Sequence, residues 1–276
     1  MQGSVSPTDR TVESLLAFWR DAGVDVLFDD EPVSRRRPPE ARVAPQAVRP
    51  TMLASTSASA QPTDLGAAVA EARRAAGAAA NLEELAQAIA GFEGCPLRLG
   101  GAPRSVFARG NGKADVIVIG EAPGPEEDSR GEPFVGRAGM LLDRMLAAAG
   151  LSERVFITNT VYWRPQGNRS PTPQEQLVCA PFVERTITLI RPRILLLVGA
   201  AAARSLLKNT EGILALRGNW FEWRDESGEF VAEALPTLHP AFLLRQPAAK
   251  KRSWADLLSL ADRLDRTGAT ELQTET

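Results

Sequence analysis

Hydrophobic residues in this chain follow two rhythms. The first is the three-and-four spacing of an amphipathic helix. It runs through 7–22, where Val12, Leu15, Leu16 and Trp19 share a face, and through 64–77, 81–91, 138–150, 172–190, 200–208 and 247–266. At 172–190, Thr172 supplies an N-cap and Pro173 suits the first helical position. The second rhythm is an unbroken apolar run: "DVIVIG" (115–120), "RVFITN" (154–159), "RILLLVG" (193–199) and "EALPTLH" (233–239). Such a run has no polar face to turn to water, so it predicts a strand covered on both sides. Strands of this kind alternating with helices predict an α/β fold, a three-layer α/β/α sandwich on a four-stranded parallel sheet, with a helical N-terminal extension. Residues 31–62, "EPVSRRRPPEARVAPQAVRPTMLASTSASAQP", have neither rhythm and predict a disordered linker. The predicted division is therefore an amphipathic helix in 1–30, a linker over 31–63, a folded domain over 64–266 and a tail over 267–276.

Composition narrows the function classes. With 32 basic against 34 acidic residues the net charge is −2, so nucleic-acid binding requires a local patch. Two cysteines cannot build a disulfide framework and point to a reducing, cytoplasmic setting. No apolar run reaches the roughly 18–20 residues of a membrane helix. The N-terminus has early acids and no signal-type apolar core, which argues against secretion. The chain has a single histidine, His239.

Ligands of parallel sheets sit at the carboxyl ends of the strands. Here those ends are Gly120-Glu121, Asn159, Gly199 and His239, which predicts one crevice holding an acidic loop, an amide and the only imidazole. The loop "GEAPGPEED" has neither a P-loop nor a dinucleotide pattern, and its acids would repel phosphate. Glu126, Glu127 and Asp128 are consecutive and converge poorly on a metal; a solvated acidic turn is the plain alternative. The Asn159 amide both donates and accepts, as the edge of a pyrimidine requires, or else caps a loop. "RPQGNRSP" (164–171) is a stiff cationic turn, suited to phosphate or simply a surface loop. After His239 come Phe242, Leu243 and Leu244, then Arg245, Lys250, Lys251 and Arg252. An apolar wedge flanked by cations suits insertion into a base stack. Cations in the first turn of a helix oppose its dipole, so an anionic partner explains them better than a bare cap.

Four strings, "GEAPGPEEDSRGEPFVGRAGMLLDRML", "ITNTVYWRPQGNRSPTPQE", "VCAPFVERTITLIRPRILLLVG" and "LPTLHPAFLLRQPAAKKRSWADL", resemble in order the family 4 uracil-DNA glycosylases, enzymes that carry an iron–sulfur cluster. The resemblance covers about Phe92 to Leu258. It implies excision of uracil from DNA in base excision repair. It implies a uracil pocket formed by Gly120, Glu121, Ala122, Phe134, Asn159 and His239. His239 would stabilise the departing anion, and either Glu121 or Glu127 would hold the water. Arg164, Asn168, Arg169, Leu243, Leu244, Arg245, Lys250, Lys251 and Arg252 would meet the DNA.

One departure is large. The family holds its cluster with four cysteines, and this chain keeps only Cys95 and Cys179, with Phe92 and Trp163 where the other two belong. A cubane cluster needs four ligands, so no cofactor is expected, and the two thiols read as buried remnants beside bulky fillers. The uracil-capturing relatives carry a K-R-R-I-H loop where this chain has "PQGNRSP", so covalent capture is not expected. The expected partner is uracil-containing DNA, engaged by a monomer in the cytoplasm and at the nucleoid, with no membrane. The N-terminal helix is expected to dock on its own domain or on a partner protein. A non-catalytic module that binds uracil or single-stranded DNA is the rival reading.

Overall fold

The computed structural model describes residues 65–102 and 104–274, with side chains through Arg266. The predicted N-terminal helix and linker lie outside the described residues.

The chain enters through two helices, α1 (Leu65–Ala78) and α2 (Leu82–Gly91), and a short turn of helix, α3 (Pro96–Leu99). Then come β1 (Ala108–Gly110), β2 (Val116–Gly120), α4 (Pro125–Arg130), α5 (Arg137–Ala148) and β3 (Val155–Asn159). The long α6 (Pro173–Ile190) leads to β4 (Ile194–Val198), α7 (Ala200–Leu207) and α8 (Ile213–Leu216). The last elements are β5 (Phe221–Arg224), β6 (Val231–Thr237), α9 (Pro240–Arg245) and α10 (Lys250–Thr274).

The sheet has six strands in the order β1-β3-β2-β4-β6-β5. Its four central strands are the predicted ones and are parallel. Two antiparallel edge strands, β1 and β5, correct the four-stranded expectation. Edge strands carry charge to discourage further pairing. Arg109 in "ARG" and Glu222 and Arg224 in "FEWR" do so, which hides both strands from a hydrophobic pattern.

The apolar runs are explained by the two faces. Ile117, Ile119, Phe156, Leu195 and Leu197 pack with α1, α2 and α6 through Ala72, Leu85, Ile89 and Phe182. The alternate residues Val116, Val118, Val155, Ile157, Leu196 and Val198 pack with α5 and α10 through Leu142, Leu146, Leu257, Leu260 and Leu264. Each such fully buried aliphatic side chain stabilises the fold by about 1.5–3 kcal/mol.

Thr172 caps α6 as its sequence predicts, accepting from the Glu175 N–H while the Glu175 carboxylate accepts from the Thr172 N–H. The predicted 247–266 helix begins instead as a 3₁₀ turn, Pro247–Ala249, and its helical backbone runs on through much of the expected tail to Thr274. From β2 the chain moves to β3 on one side, then returns to β4 on the other. The crevice of such a sheet opens at this reversal, beyond the end of β2.

Candidate active site

β2 and β3 are in register at their ends, with Gly120 beside Asn159. A Cβ on Gly120 would strike the Phe134 ring and the Asn159 Oδ1, so a glycine is what lets these two approach. On the other side, Gly199 closes β4, its N–H donating to Thr237 O at 2.9 Å. Gly199 has φ +96°, and a Cβ there would sit 3.1 Å from that of His239. The backbone thus brings amide, aromatic ring and imidazole to one place. The cleft there has a volume of about 490 Å³, and Ala122, Glu127, Phe134, Asn159, His239 and Leu244 are among its walls.

Asn159 is 1% exposed, and its Oδ1 is buried without a hydrogen-bond partner. Leaving such an acceptor unpaired costs about 1–3 kcal/mol, and Asn159 is among the residues that line the cleft. The Phe134 ring leans on that of His239, centroids 5.8 Å apart and planes 30° apart. The Ala241 N–H donates to His239 Nδ1 at 3.2 Å. An Nδ1 that accepts leaves the proton of a neutral imidazole on Nε2. Burial pushes the His239 pKa below its ordinary value and Arg245 adds to this, while Glu121 and Glu127 oppose. A neutral ring with one fixed N–H donor results.

The acids of the loop have separate places. Glu127 lines the cleft, and its carboxylate accepts from the N–H groups of Gly124 (3.0 Å), Val135 (2.9 Å) and Gly136 (2.9 Å). It staples the loop, with one of about four lone-pair positions left over. Glu121 is half-buried and is not among the cleft-lining residues; it acts on His239 through its charge.

The residues expected to meet DNA divide in the same way. Leu244 and Arg245 line the cleft, and Leu244 is 38% exposed. Leu243 corrects the expectation of a paired wedge, because it is fully buried. Adjacent residues of a helix point about 100° apart, so both cannot face out. Lys250, Lys251 and Arg252 are exposed. Arg169 is committed to Glu175 by two bonds, 2.8 and 2.6 Å, and so pins its own loop. Arg164 donates to Asn168 Oδ1 at 2.9 Å and lies 3.7 Å from Asp128, tying that loop to the acidic one.

Two features had no legible signal in the sequence. The buried Asp256 carboxylate accepts from Arg217 and, at 2.7 Å, from Thr237, two residues before His239. Arg217 also donates to Arg252 O at 2.9 Å. The second feature is Arg109. It donates to Pro133 O (2.8 Å), Phe134 O (3.2 Å) and Asp143 (2.6 Å).

Behind β3 lie the two cysteines, both fully buried, with sulfurs 4.0 Å apart. Aromatic rings surround them. Phe182 meets Phe92 edge-on at 5.2 Å, and Trp163 lies 6.3 Å from Tyr162. The hydrogen bond shared with Cys95, and burial, push the Cys179 thiol up. Burial likewise pushes the Tyr162 phenol up. Phe92 is 3% exposed and Trp163 1%, so both positions that lack a thiol are filled with packed side chains. Among the described residues no three His, Cys, Asp or Glu are grouped to hold a metal ion. The donor set does not fit a four-ligand cluster.

A model of the uracil DNA glycosylase superfamily matches residues 107–258. The chain is 40% identical over 160 residues to the type-4 uracil-DNA glycosylase of Thermotoga maritima, covering 57% of this chain and 80% of that protein. It is 42% identical over 153 residues to the type-4 uracil-DNA glycosylase of Saccharolobus solfataricus, covering 53% and 70%.

Proposed function

The chain belongs to the uracil DNA glycosylase superfamily, and from that premise we propose the reaction and the role of each group. The protein is a monofunctional uracil-DNA glycosylase that hydrolyses the N-glycosidic bond of uracil in DNA and leaves an abasic site. The observation that carries the assignment of roles is the buried, unpartnered Asn159 Oδ1 beside a neutral imidazole with its proton on Nε2.

The extruded uracil stacks on Phe134. Asn159 accepts from uracil N3–H and donates to O4. Cytosine presents the opposite pattern on that edge and would leave two buried groups unpaired, which is how such sites reject analogues. As the glycosidic bond breaks, negative charge gathers on the base, and His239 Nε2–H donates to O2. A fixed donor aimed at developing charge is the strongest single device such a site has. Ala122 brings no carboxylate into the cleft. The attacking water is assigned to the remaining lone pair of Glu127, while Glu121 tunes His239 through its charge.

DNA is gripped by Arg245, Lys250, Lys251 and Arg252, with Leu244 entering the stack. Arg164, Asn168 and Arg169 shape the opposite lip. The work is done by a monomer in the cytoplasm, at the nucleoid. The protein holds no iron–sulfur cluster: two thiols packed among aromatic rings replace it with ordinary core.

The test is abasic-site formation on a uracil-containing oligonucleotide beside a cytosine control. Cleavage specific for uracil is expected. Asn159→Ala should lose about 10²-fold in rate, as for one lost donor of this kind, with little change in non-specific DNA affinity. Tight binding with no abasic sites after long incubation would replace the enzyme with a binding module.

A further inference from the structure

Phe134 has φ +55°, in the left-handed region. A bulky residue rarely stays there unless its surroundings impose it. Those surroundings are two opposite charges. From one side the Glu127 carboxylate takes the N–H groups of Val135 and Gly136, each at 2.9 Å. From the other, the Arg109 guanidinium takes the carbonyls of Pro133 at 2.8 Å and Phe134 at 3.2 Å. Arg109 is itself fixed by Asp143 of α5 at 2.6 Å. The same helix leaves room for the strained turn, because a Cβ on Gly139 would overlap the Phe134 carbonyl. Arg109 also stands opposite Ile157 in the β1–β3 pairing, two residues before Asn159 on β3.

We propose that Arg109 is a positioning residue of the base pocket, which holds the Phe134 ring at the distance and tilt that a flat base needs beside Asn159 and His239. It touches neither substrate nor reacting atoms; it acts on the peptide that carries the platform. Three acceptors in different directions require the planar fork of a guanidinium, which an ammonium cannot reproduce. Without the fork the turn relaxes toward an ordinary conformation, and the ring tilts into the cleft. The proposal rests on the uracil reading of that cleft.

The experiment compares the parent with Arg109→Ala, Arg109→Lys and the milder Asp143→Asn. Four quantities are read: single-turnover cleavage of uracil DNA, inhibition by free uracil, DNA affinity at two salt concentrations, and the thermal midpoint. Arg109→Ala should lower the maximal rate by about 10- to 100-fold, the range expected when a reacting group is displaced by an ångström. Free uracil should inhibit it correspondingly more weakly, with DNA affinity and its salt dependence unchanged. Added guanidinium should restore part of the rate in Arg109→Ala. Arg109→Lys should stay impaired, and Asp143→Asn should show a smaller loss of the same kind. Should Arg109→Ala fail to fold, Asp143→Asn and Arg109→Lys carry the test.

An unchanged rate with unchanged uracil inhibition would overturn the proposal and leave the glycosylase reading intact. So would a loss that appears only in DNA affinity, which would make Arg109 a phosphate contact. If the parent neither cleaves uracil DNA nor binds 5-fluorouracil in a fluorine NMR titration, the uracil reading fails first and Arg109 falls with it.

Discussion

Three residues separate Asn159 from Trp163, and the two ends of that short segment are built on opposite terms. At Asn159 a buried acceptor is left without a partner beside a ring kept neutral by burial. At Trp163 the surroundings are sulfur and aromatic carbon, fully packed, with centroids 5.2–6.5 Å apart. The first region gives up stability, and on the proposed reading it does so to receive a base. The second contributes stability through its packing, although the buried Tyr162 hydroxyl within it also lacks a hydrogen-bond partner. Function and folding energy are therefore separable here, although they occupy one stretch of backbone.

The sharpest break in that contrast comes from His239. Replacing it with alanine should slow single-turnover cleavage by about 10²- to 10³-fold, the usual loss for one anion-stabilising donor. The melting temperature should fall by only a few degrees, because the ring also accepts the Ala241 N–H at the start of α9. A parent-like rate would remove His239 from the chemistry. Trp163→Ala should do the reverse. Removing a fully buried indole destabilises by about 3–5 kcal/mol, read by urea unfolding, while the rate per folded molecule below its melting point should stay within a few-fold. Iron and sulfide analysis of anaerobically purified parent belongs beside it. About four of each per chain, as a cubane requires, would turn the aromatic region into a cofactor site and end the comparison.

The smallest expected effect is that of pH. Burial holds the His239 pKa below the ordinary value, so the ring is neutral at pH 7. Cleavage should be flat from pH 7 to 8, with an acid limb displaced to below the ordinary imidazole value of about 6.5, as protonation of Nδ1 displaces the Ala241 N–H. A depressed pKa also means that the fold favours the neutral ring. That contribution is present above the unfolded value and is lost as pH falls through the folded one. His239→Gln should show no acid limb in its residual rate; a limb that persists would assign it to a carboxylate.

The central sheet was legible because residues such as Ile117 and Val118 are both buried, one on each face, and leave an unbroken apolar run. The edges were not, since Arg109 and Glu222 are charged where a pattern expects hydrophobes. Asn159 and His239 could be read because each closes a recognisable strand. The duties of Glu127, Arg169 and Leu243 could not. Glu127 spends its carboxylate on N–H groups eight and nine residues away. Arg169 turns back onto Glu175. Leu243 differs from Leu244 only by a rotation about a six-residue helix. Each of these outcomes is decided by where other segments lie, which local pattern does not record.

Asp256 links strand and helix in a way that bears on the energetics of base extrusion. Through Thr237 and Arg217 it joins the end of β6, just before the imidazole, to the opening turn of α10, where Lys250, Lys251 and Arg252 are exposed. If the exposed cations grip DNA as proposed, these bonds make the strand end and the helix meet it together. The deformation needed to bring a nucleotide into the cleft then falls on the duplex, whose bending and unstacking cost depends on the steps flanking the lesion. On that reading, the flanking sequence would act on cleavage through how readily the DNA yields.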